Sequence, residues 1–472
     1  MTKLKLTIAT LLLCSFAIAQ KTSQVFESIE THLSDYEGIA LEIWDLAEMG
    51  YQEYQSSNLL KTRLESEGFS ITTGVAEIPT AFVAEYGSTG PVIGVLGEFD
   101  ALPGLSQKAV PFKESADAIG GHGCGHHLFG TASLAAAVAL KDWLIKTKTE
   151  GRIRFYGTPA EEGGGAKVYM SRAGLFDDVD VVLHWHPGAA NQANEAAALA
   201  NISGKFRFNG VSAHAAGAPE RGRSALDAVE AMNYMVNMMR EHVPQETRIH
   251  YVITDGGKAP NVVPDFAEVY YYSRHPSREV VRNVFDRIVL AAEGAAKGTE
   301  TTMSYEIVNG VHELLPNQTL QTLVHESLST VGGYTYTAEE RAFAEKIAES
   351  LNRPLDERVA NEVAPYREAS RAYGSTDVGD VSFVVPTVGF GTATWVPGTS
   401  AHSWQAVAAG GTSIGLKGME VAAKTLALSG AKLFKNPKII AKARAEFEER
   451  RGADFNYRPL LGNRPPALDY RN

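Results

Sequence analysis

The chain has 472 residues, 44% apolar and 21% charged, the mix of a folded globular protein and not of a disordered, collagenous or coiled-coil one. Its 55 acidic and 44 basic residues give a net charge of −11, and no Lys/Arg-rich run supplies the basic patch that nucleic acid needs. At ~150 residues per domain the length implies two or three domains.

Residues 1–19 read as a signal peptide. Lys3 and Lys5 precede an apolar run too short to span a bilayer, and Ala17-Ile18-Ala19 supplies the small-x-small cleavage pattern before Gln20. Export to the periplasm or the outside of the cell is therefore expected, and no later segment predicts a transmembrane helix. Cleavage would remove Cys14, leaving Cys124 without an internal disulfide partner.

Over residues 20–198, helices alternate with apolar strand-like runs. A helix is predicted at 36–49, a buried strand at 91–96, a long amphipathic helix at 128–146, and strands at 152–156 and 179–183. Unbroken β-branched runs between helices predict an α/β fold with a mostly parallel or mixed sheet covered by helices. Residues 199–312 change rhythm: strand 205–208, helix 224–241, strands 248–253 and 268–273, helix 277–296, strand 302–308. That order is the split pattern of a ferredoxin-like domain. Residues 313–455 resume the first domain, with an apolar strand at 384–390 and a helical stretch from Trp404, so the ferredoxin-like unit is an insertion. Residues 456–472, rich in Pro, Arg and Asn, predict an extended tail.

Metal-capable side chains crowd into five short segments, each near the carboxyl end of a predicted strand, where an open α/β sheet builds its crevice. They are Glu98-Phe99-Asp100, the glycine-rich run from Gly120 to His127, Gly157 to Gly165, Leu183-His184-Trp185-His186-Pro187, and Thr399 to Ser403. Any one histidine could serve packing alone; five coincidences argue a site. Thiol, imidazole and carboxylate together suit zinc or another borderline divalent ion. Adjacent Glu161 and Glu162 before three glycines suggest that one carboxylate ligates while its neighbour handles the proton of an activated water. Gly411-Thr412-Ser413-Ile414-Gly415 matches a nucleophile elbow, but no histidine follows it in the chain, as that mechanism requires.

Cys124-Gly125-His126, the Pro159 to Gly165 run and Ala401-His402-Ser403 together resemble the dinuclear metallo-amidohydrolases and metallopeptidases that include aminoacylases, hippurate hydrolase and auxin-conjugate hydrolases. The segment from Gly374 to Ser382 and Trp185-His186-Pro187 make it most similar to the branch of p-aminobenzoyl-glutamate hydrolase. The resemblance runs from about Val25 to Phe434. It implies a zinc-peptidase-like catalytic domain, an inserted dimerisation domain and a homodimer. It also implies two divalent ions per subunit, Zn or Mn first, Co or Ni next, held by Cys124, His126, Glu162, one histidine of the His184/His186 pair and His402. The His-Pro form favours His186, whereas the wider family aligns on His184. Glu161 would be the general acid/base, His214 would reach the partner's site, and Asn261 and Arg274 would hold the substrate's carboxylate. His127 stands where many relatives have Asp, and Glu98 and Asp100 lie where others place a ligating histidine or acid. The implied activity is hydrolysis of the amide bond of N-acyl amino acids. The alternatives are a dipeptidase or aminopeptidase on the same fold, or a metal-stabilised binding protein with a dead site. Retention of Glu161 beside Glu162 argues against the last.

Overall fold

The computed structural model describes residues 24–194, 197–368 and 374–471; the signal peptide expected at residues 1–19 lies outside the described residues. The larger body is built on a six-stranded sheet. Its strands run Ser70–Thr73, Phe82–Tyr86, Arg152–Gly157, Val92–Gly97, Val181–Leu183 and Thr387–Val388 in spatial order. The first three pair antiparallel and the rest are parallel, so the sheet is mixed. Val92–Gly97 is buried at every residue, as a strand covered on both faces must be. Helix His126–Thr147 packs on it. Among the described residues this is the one helix long and apolar enough to cross a membrane, and it is buried in the core. Helix Ser413–Lys435 lies against it, with Gly430 seated on Leu140.

The inserted unit is a four-stranded antiparallel sheet in spatial order Arg248–Asp255, Phe266–His275, Ala200–Asn209, Thr302–Val311. Helices Ala225–Met239 and Arg278–Thr299 cover one face, burying Phe206, Phe208, Val269 and Tyr271. Strand alternation turns Lys205, Arg207, Tyr270, Tyr272 and Arg274 to the opposite face, which looks onto the larger body.

One expectation needs correction, and two others gain detail. The strand at 384–390 shrinks to Thr387–Val388, because the Val384 and Val385 amides bond back to the Val381 carbonyl after helix Val378–Ser382. Its apolarity records burial, which helix end and strand share. The helical stretch from Trp404 is three helices, Trp404–Gly410, Ser413–Lys435 and Pro437–Arg451. It is broken at Gly410-Gly411 and at Asn436-Pro437, where proline starts the next helix. The last segment forms neither helix nor strand but does not trail away: Leu460 and Leu461 are each 3% exposed. Helix Tyr54–Ser66 and the hairpin Ser70–Thr73/Phe82–Tyr86 went unpredicted; both are short and weakly patterned.

Candidate metal centre and substrate cleft

Cys124 ends a glycine-rich loop immediately before helix His126–Thr147, so Cys124 and His126 enter the crevice together. His186 follows strand Val181–Leu183. His402 is held in the left-handed region (φ 59°), its amide bonded to the Gly123 carbonyl at 2.9 Å. Glu162 comes from the loop after strand Arg152–Gly157. The Cys124 sulfur lies 3.6 Å from His186 Nε2 and 3.5 Å from His402 Nε2, and His402 Nε2 is 3.1 Å from Glu162 Oε1. His126 joins both the Cys124–His186 group and a second one with Glu98 and Glu161.

The donor chemistry fits a pair of divalent ions. His126 donates Nδ1–H to Asp100 at 2.8 Å and His186 donates Nδ1–H to the Pro187 carbonyl at 2.7 Å, which turns each Nε2 toward the cluster. There an ion would replace the proton that, against burial, Glu98 and Asp100 favour on His126. His126 Nε2, Glu162 Oε1 and Glu98 Oε2 are buried without hydrogen-bond partners. Burial pushes the Cys124 thiol up, so a thiolate here needs a cation beside it. Burial likewise pushes His186 down to about 4, keeping its imidazole neutral, the ligating form.

Glu161 and Glu162 diverge although they are neighbours. Burial, then Glu98 and Glu162, holds the Glu161 carboxyl well above the carboxylate range. Burial also raises Glu162, but the His402 ring 3.1 Å from its Oε1, and then His126, outweigh it and hold Glu162 low. Separation of two carboxyls by their surroundings is how an acid/base and a ligand can stand side by side. The loop is pinned at Ala160, whose backbone is left-handed (φ 54°) and whose amide donates to Glu53 Oε1 at 2.8 Å. Beneath it, fully buried Lys167 bridges Glu98 and Asp377, 2.8 Å from each. It occupies one oxygen of Glu98 and leaves the other facing His126, 3.0 Å away.

Sequence reasoning missed Lys167, Asp377 and Glu53 as site residues. Asp377 lies within the Gly374 to Ser382 segment, but Lys167 had only the weak signal of a lone lysine in the apolar run Ala166-Lys167-Val168-Tyr169-Met170. His184 stands apart from the cluster, its ring against the Gly389 backbone. His122 and His127 are buried and bonded to the carbonyls of Ile43 and Gly410, so both serve packing. Ser413 opens its helix and donates to Glu340 at 2.7 Å; it is no nucleophile.

A cleft of about 850 Å³ opens from Glu161, Glu162 and His402 to the polar sheet face of the inserted unit. Arg274 lines it, stacked 5.2 Å from the Tyr272 ring, with a buried Nε–H that has no partner. His214 and Asn261 are not among the residues that line it. They lie together at an exposed tip, where the Ala215 amide bonds to the Asn261 carbonyl and residue 214 bridges to Val262. His214 Nδ1 accepts the amides of Ala216 and Gly217 at 3.2 and 3.0 Å. Its neutral ring therefore carries the proton on Nε2, ready to donate outward.

The peptidase dimerisation domain model matches residues 200–300. Over 93% of its length the chain is 40% identical to one of the subunits of p-aminobenzoyl-glutamate hydrolase from Escherichia coli (strain K12), covering 98% of that protein. Two solved structures share the fold. The aminobenzoyl-glutamate utilization protein from Klebsiella pneumoniae has a TM-score of 0.62 and 19% identity, over 87% of this chain and 98% of that one. A dinuclear metal-binding peptidase of the M20 family from Bacillus subtilis has a TM-score of 0.54 and 18% identity, over 84% of this chain and 98% of that one.

Proposed function

Because this chain belongs to the M20 family of metal-dependent peptidases and amidohydrolases, we propose that its converging donors hold two divalent ions and that Glu161 moves the proton in amide hydrolysis. The enzyme is a metal-dependent amidohydrolase of N-acyl amino acids. The observation that carries the site assignment is the convergence of Cys124, His126, Glu162, His186 and His402 beside a half-buried Glu161.

When bound, the ions lower the pKa of water and polarise the amide carbonyl. Glu161 accepts the water's proton and returns it to the leaving nitrogen, which must be protonated to depart. Arg274 pairs with the substrate's carboxylate, and Lys205 and Arg207 add positive charge on the same wall. Tyr270 and Tyr272, with ring centroids 5.2 Å apart, offer an aromatic ledge in the cleft. An aryl-acyl amino acid fits this lining, with p-aminobenzoyl-glutamate the first candidate. Zn or Mn is the favoured metal.

The oxyanion donor comes from a second copy of the chain in this reading. His214 Nε2–H and Asn261 sit on a tip bearing exposed Val211, Val262 and Phe266, and the edge strand Arg248–Asp255 exposes Tyr251, Val252 and Ile253. An exposed strand edge with apolar side chains supports a two-fold interface. A homodimer would carry each His214 over the partner's metals. Pairing with a different kind of subunit is the other arrangement, and the leader at residues 1–19 would place the activity outside the cytoplasm.

Metal analysis of the purified enzyme, with an assay of N-acyl amino acids against free-amine dipeptides, tests the reading. Turnover of p-aminobenzoyl-glutamate and benzoyl amino acids by metal-loaded protein is expected. Hydrolysis confined to free-amine dipeptides would shift the assignment to a dipeptidase.

A further inference from the structure

We propose that residues 456–471 form a fixed strap across both domains, and that its final Tyr470 and Arg471 are positioning residues for Glu162. The inference rests on the metal-centre reading above.

The strap is anchored along its length. At its start, Tyr457 donates its hydroxyl to buried Asp380 at 2.7 Å, and the Arg458 carbonyl lies 3.0 Å from His312 Nε2, where the inserted unit rejoins the larger body. In the middle, Leu460 enters the core of the inserted unit, while Leu461 packs with Tyr51 and Val168 of the larger body and with Val311 at the end of the inserted unit's last strand. Arg464 donates to the carbonyls of Ile307 and Val308 and pairs with Glu306 at 3.0 Å. Arg172 reaches across from the larger body to the Gly462 and Arg464 carbonyls at 3.0 and 2.9 Å.

Two glycines are shaped to the strap's path. A Cβ on Gly50 would stand 2.1 Å from the Tyr470 hydroxyl, and one on Gly310 would stand 2.7 Å from the Leu461 nitrogen. The Gly310 contact is with the strap's own backbone and requires bare backbone there, so the strap is seated in the fold and not laid over it.

Its end meets the metal centre. The Tyr470 hydroxyl donates to the Glu162 carbonyl at 3.1 Å, and Arg471 Nη2 donates to the same oxygen. The Glu162 amide, on the other side, donates to Asp100 Oδ2 at 2.9 Å. Asp100 also orients His126, so one chain of bonds runs from the strap through Glu162 and Asp100 to a second donor. Three glycines follow Glu162, and Gly163 and Gly165 have positive φ. The loop is tied down on either side of Glu162, by the Ala160 amide on Glu53 and by the Tyr51 hydroxyl on the Gly164 carbonyl at 2.7 Å, and the strap supplies the clamp on the Glu162 carbonyl itself.

The test compares two variants of the full-length, metal-loaded enzyme. Tyr470→Phe combined with Arg471→Met removes both donors to Glu162 while keeping most of the bulk. Tyr457→Phe loosens the strap at its far end. The double variant is expected to lose about 10-fold or more in metal affinity, read by calorimetric titration of Zn²⁺ into chelator-stripped protein. Its kcat should fall with little change in KM, and restoring Tyr470 with Arg471→Lys should recover part of both. Tyr457→Phe should lower Tm yet leave metal affinity and kcat as in the parent. Unchanged Zn²⁺ affinity in the folded double variant would overturn the positioning role, and so would equal losses in both variants, which describe a mere tether. Failure of the parent to bind Zn²⁺ at all would instead remove the metal-centre reading.

Discussion

The loops that carry Glu162 and His214 are both glycine-flanked, yet the fold treats them in opposite ways. The Glu162 side chain is 11% exposed and its backbone is gripped from both sides, by Asp100 and by the strap. His214 lies exposed on a loop whose hydrogen bonds to the ring come from its own next residues. One region is finished within a single chain. The other is shaped, with its tautomer set by the Ala216 and Gly217 amides, but lines no part of the cleft. A catalytic group can remain exposed in this way when its working surroundings come from another molecule.

The largest expected effect lies in the finished region. Glu161→Gln should keep both metals and lose ~10²–10⁴-fold in kcat, because it removes the proton carrier and no ligand. Glu162→Gln should lose metal as well as turnover, measured by elemental analysis after gel filtration. A metal-deficient Glu161→Gln beside a metal-replete Glu162→Gln would mean that the two roles are exchanged. Chelation should abolish the activity of the parent, with recovery on adding Zn²⁺, Mn²⁺ or Co²⁺. Full activity in protein without any transition metal would end the metal-dependent scheme.

The unfinished region is tested by complementation. Subunits with Glu161→Gln and subunits with His214→Ala should each be inactive alone. Mixed in equal amounts and allowed to exchange, half of the dimers are mixed and each has one complete site if His214 acts across the interface. The mixture should then recover about a quarter of parent activity. No recovery, with heterodimers demonstrated by native mass spectrometry, would confine His214 to its own subunit or to no role.

How much of this contrast could be read beforehand follows from the range of the interactions. Helix His126–Thr147 and the split pattern of the inserted unit were legible because their periodicity is local and sustained. The candidate metal donors stood out because cysteine, histidine and paired glutamates at strand ends are chemically unusual, and the structure brings them within reach of one another. Lys167 was not, since its meaning depends on Glu98 and Asp377, which lie 69 residues before and 210 after it in the chain. The strap was hidden for the same reason: Tyr470 meets Glu162 across 308 residues, and Pro-rich composition reports only the lack of regular structure. Between His184 and His186 the sequence could not choose, because residues two apart share a face of one strand; the break in the chain between strands Val181–Leu183 and His186–Gly188 turns His186 to the cysteine and the His184 ring to the Gly389 backbone.

The smallest effect is expected at Asp380, on the hinge that joins the two regions. Asp380 is fully buried; it accepts the His312 amide at 2.9 Å and the Tyr457 hydroxyl at 2.7 Å. Burial raises its carboxyl from 3.8 to about 7, against those two hydrogen bonds and with Asp377 adding to the rise. His312, 4.0 Å away, is no ionic partner at neutral pH, because burial, then Arg278, pushes its imidazole down to about 4. A carboxyl raised in the folded state favours folding fully below its unfolded value, and that contribution is lost as the pH climbs through the folded value. Between pH 4 and 7 the parent should therefore lose stability relative to Asp380→Asn, which cannot ionise. The gap in Tm should open by on the order of a few degrees and level off above pH 7. Any acid-induced metal release is common to both proteins and cancels in the difference. Parallel Tm–pH curves across that window would show that Asp380 ionises in the hinge without cost, and that the hinge is better solvated than its burial implies.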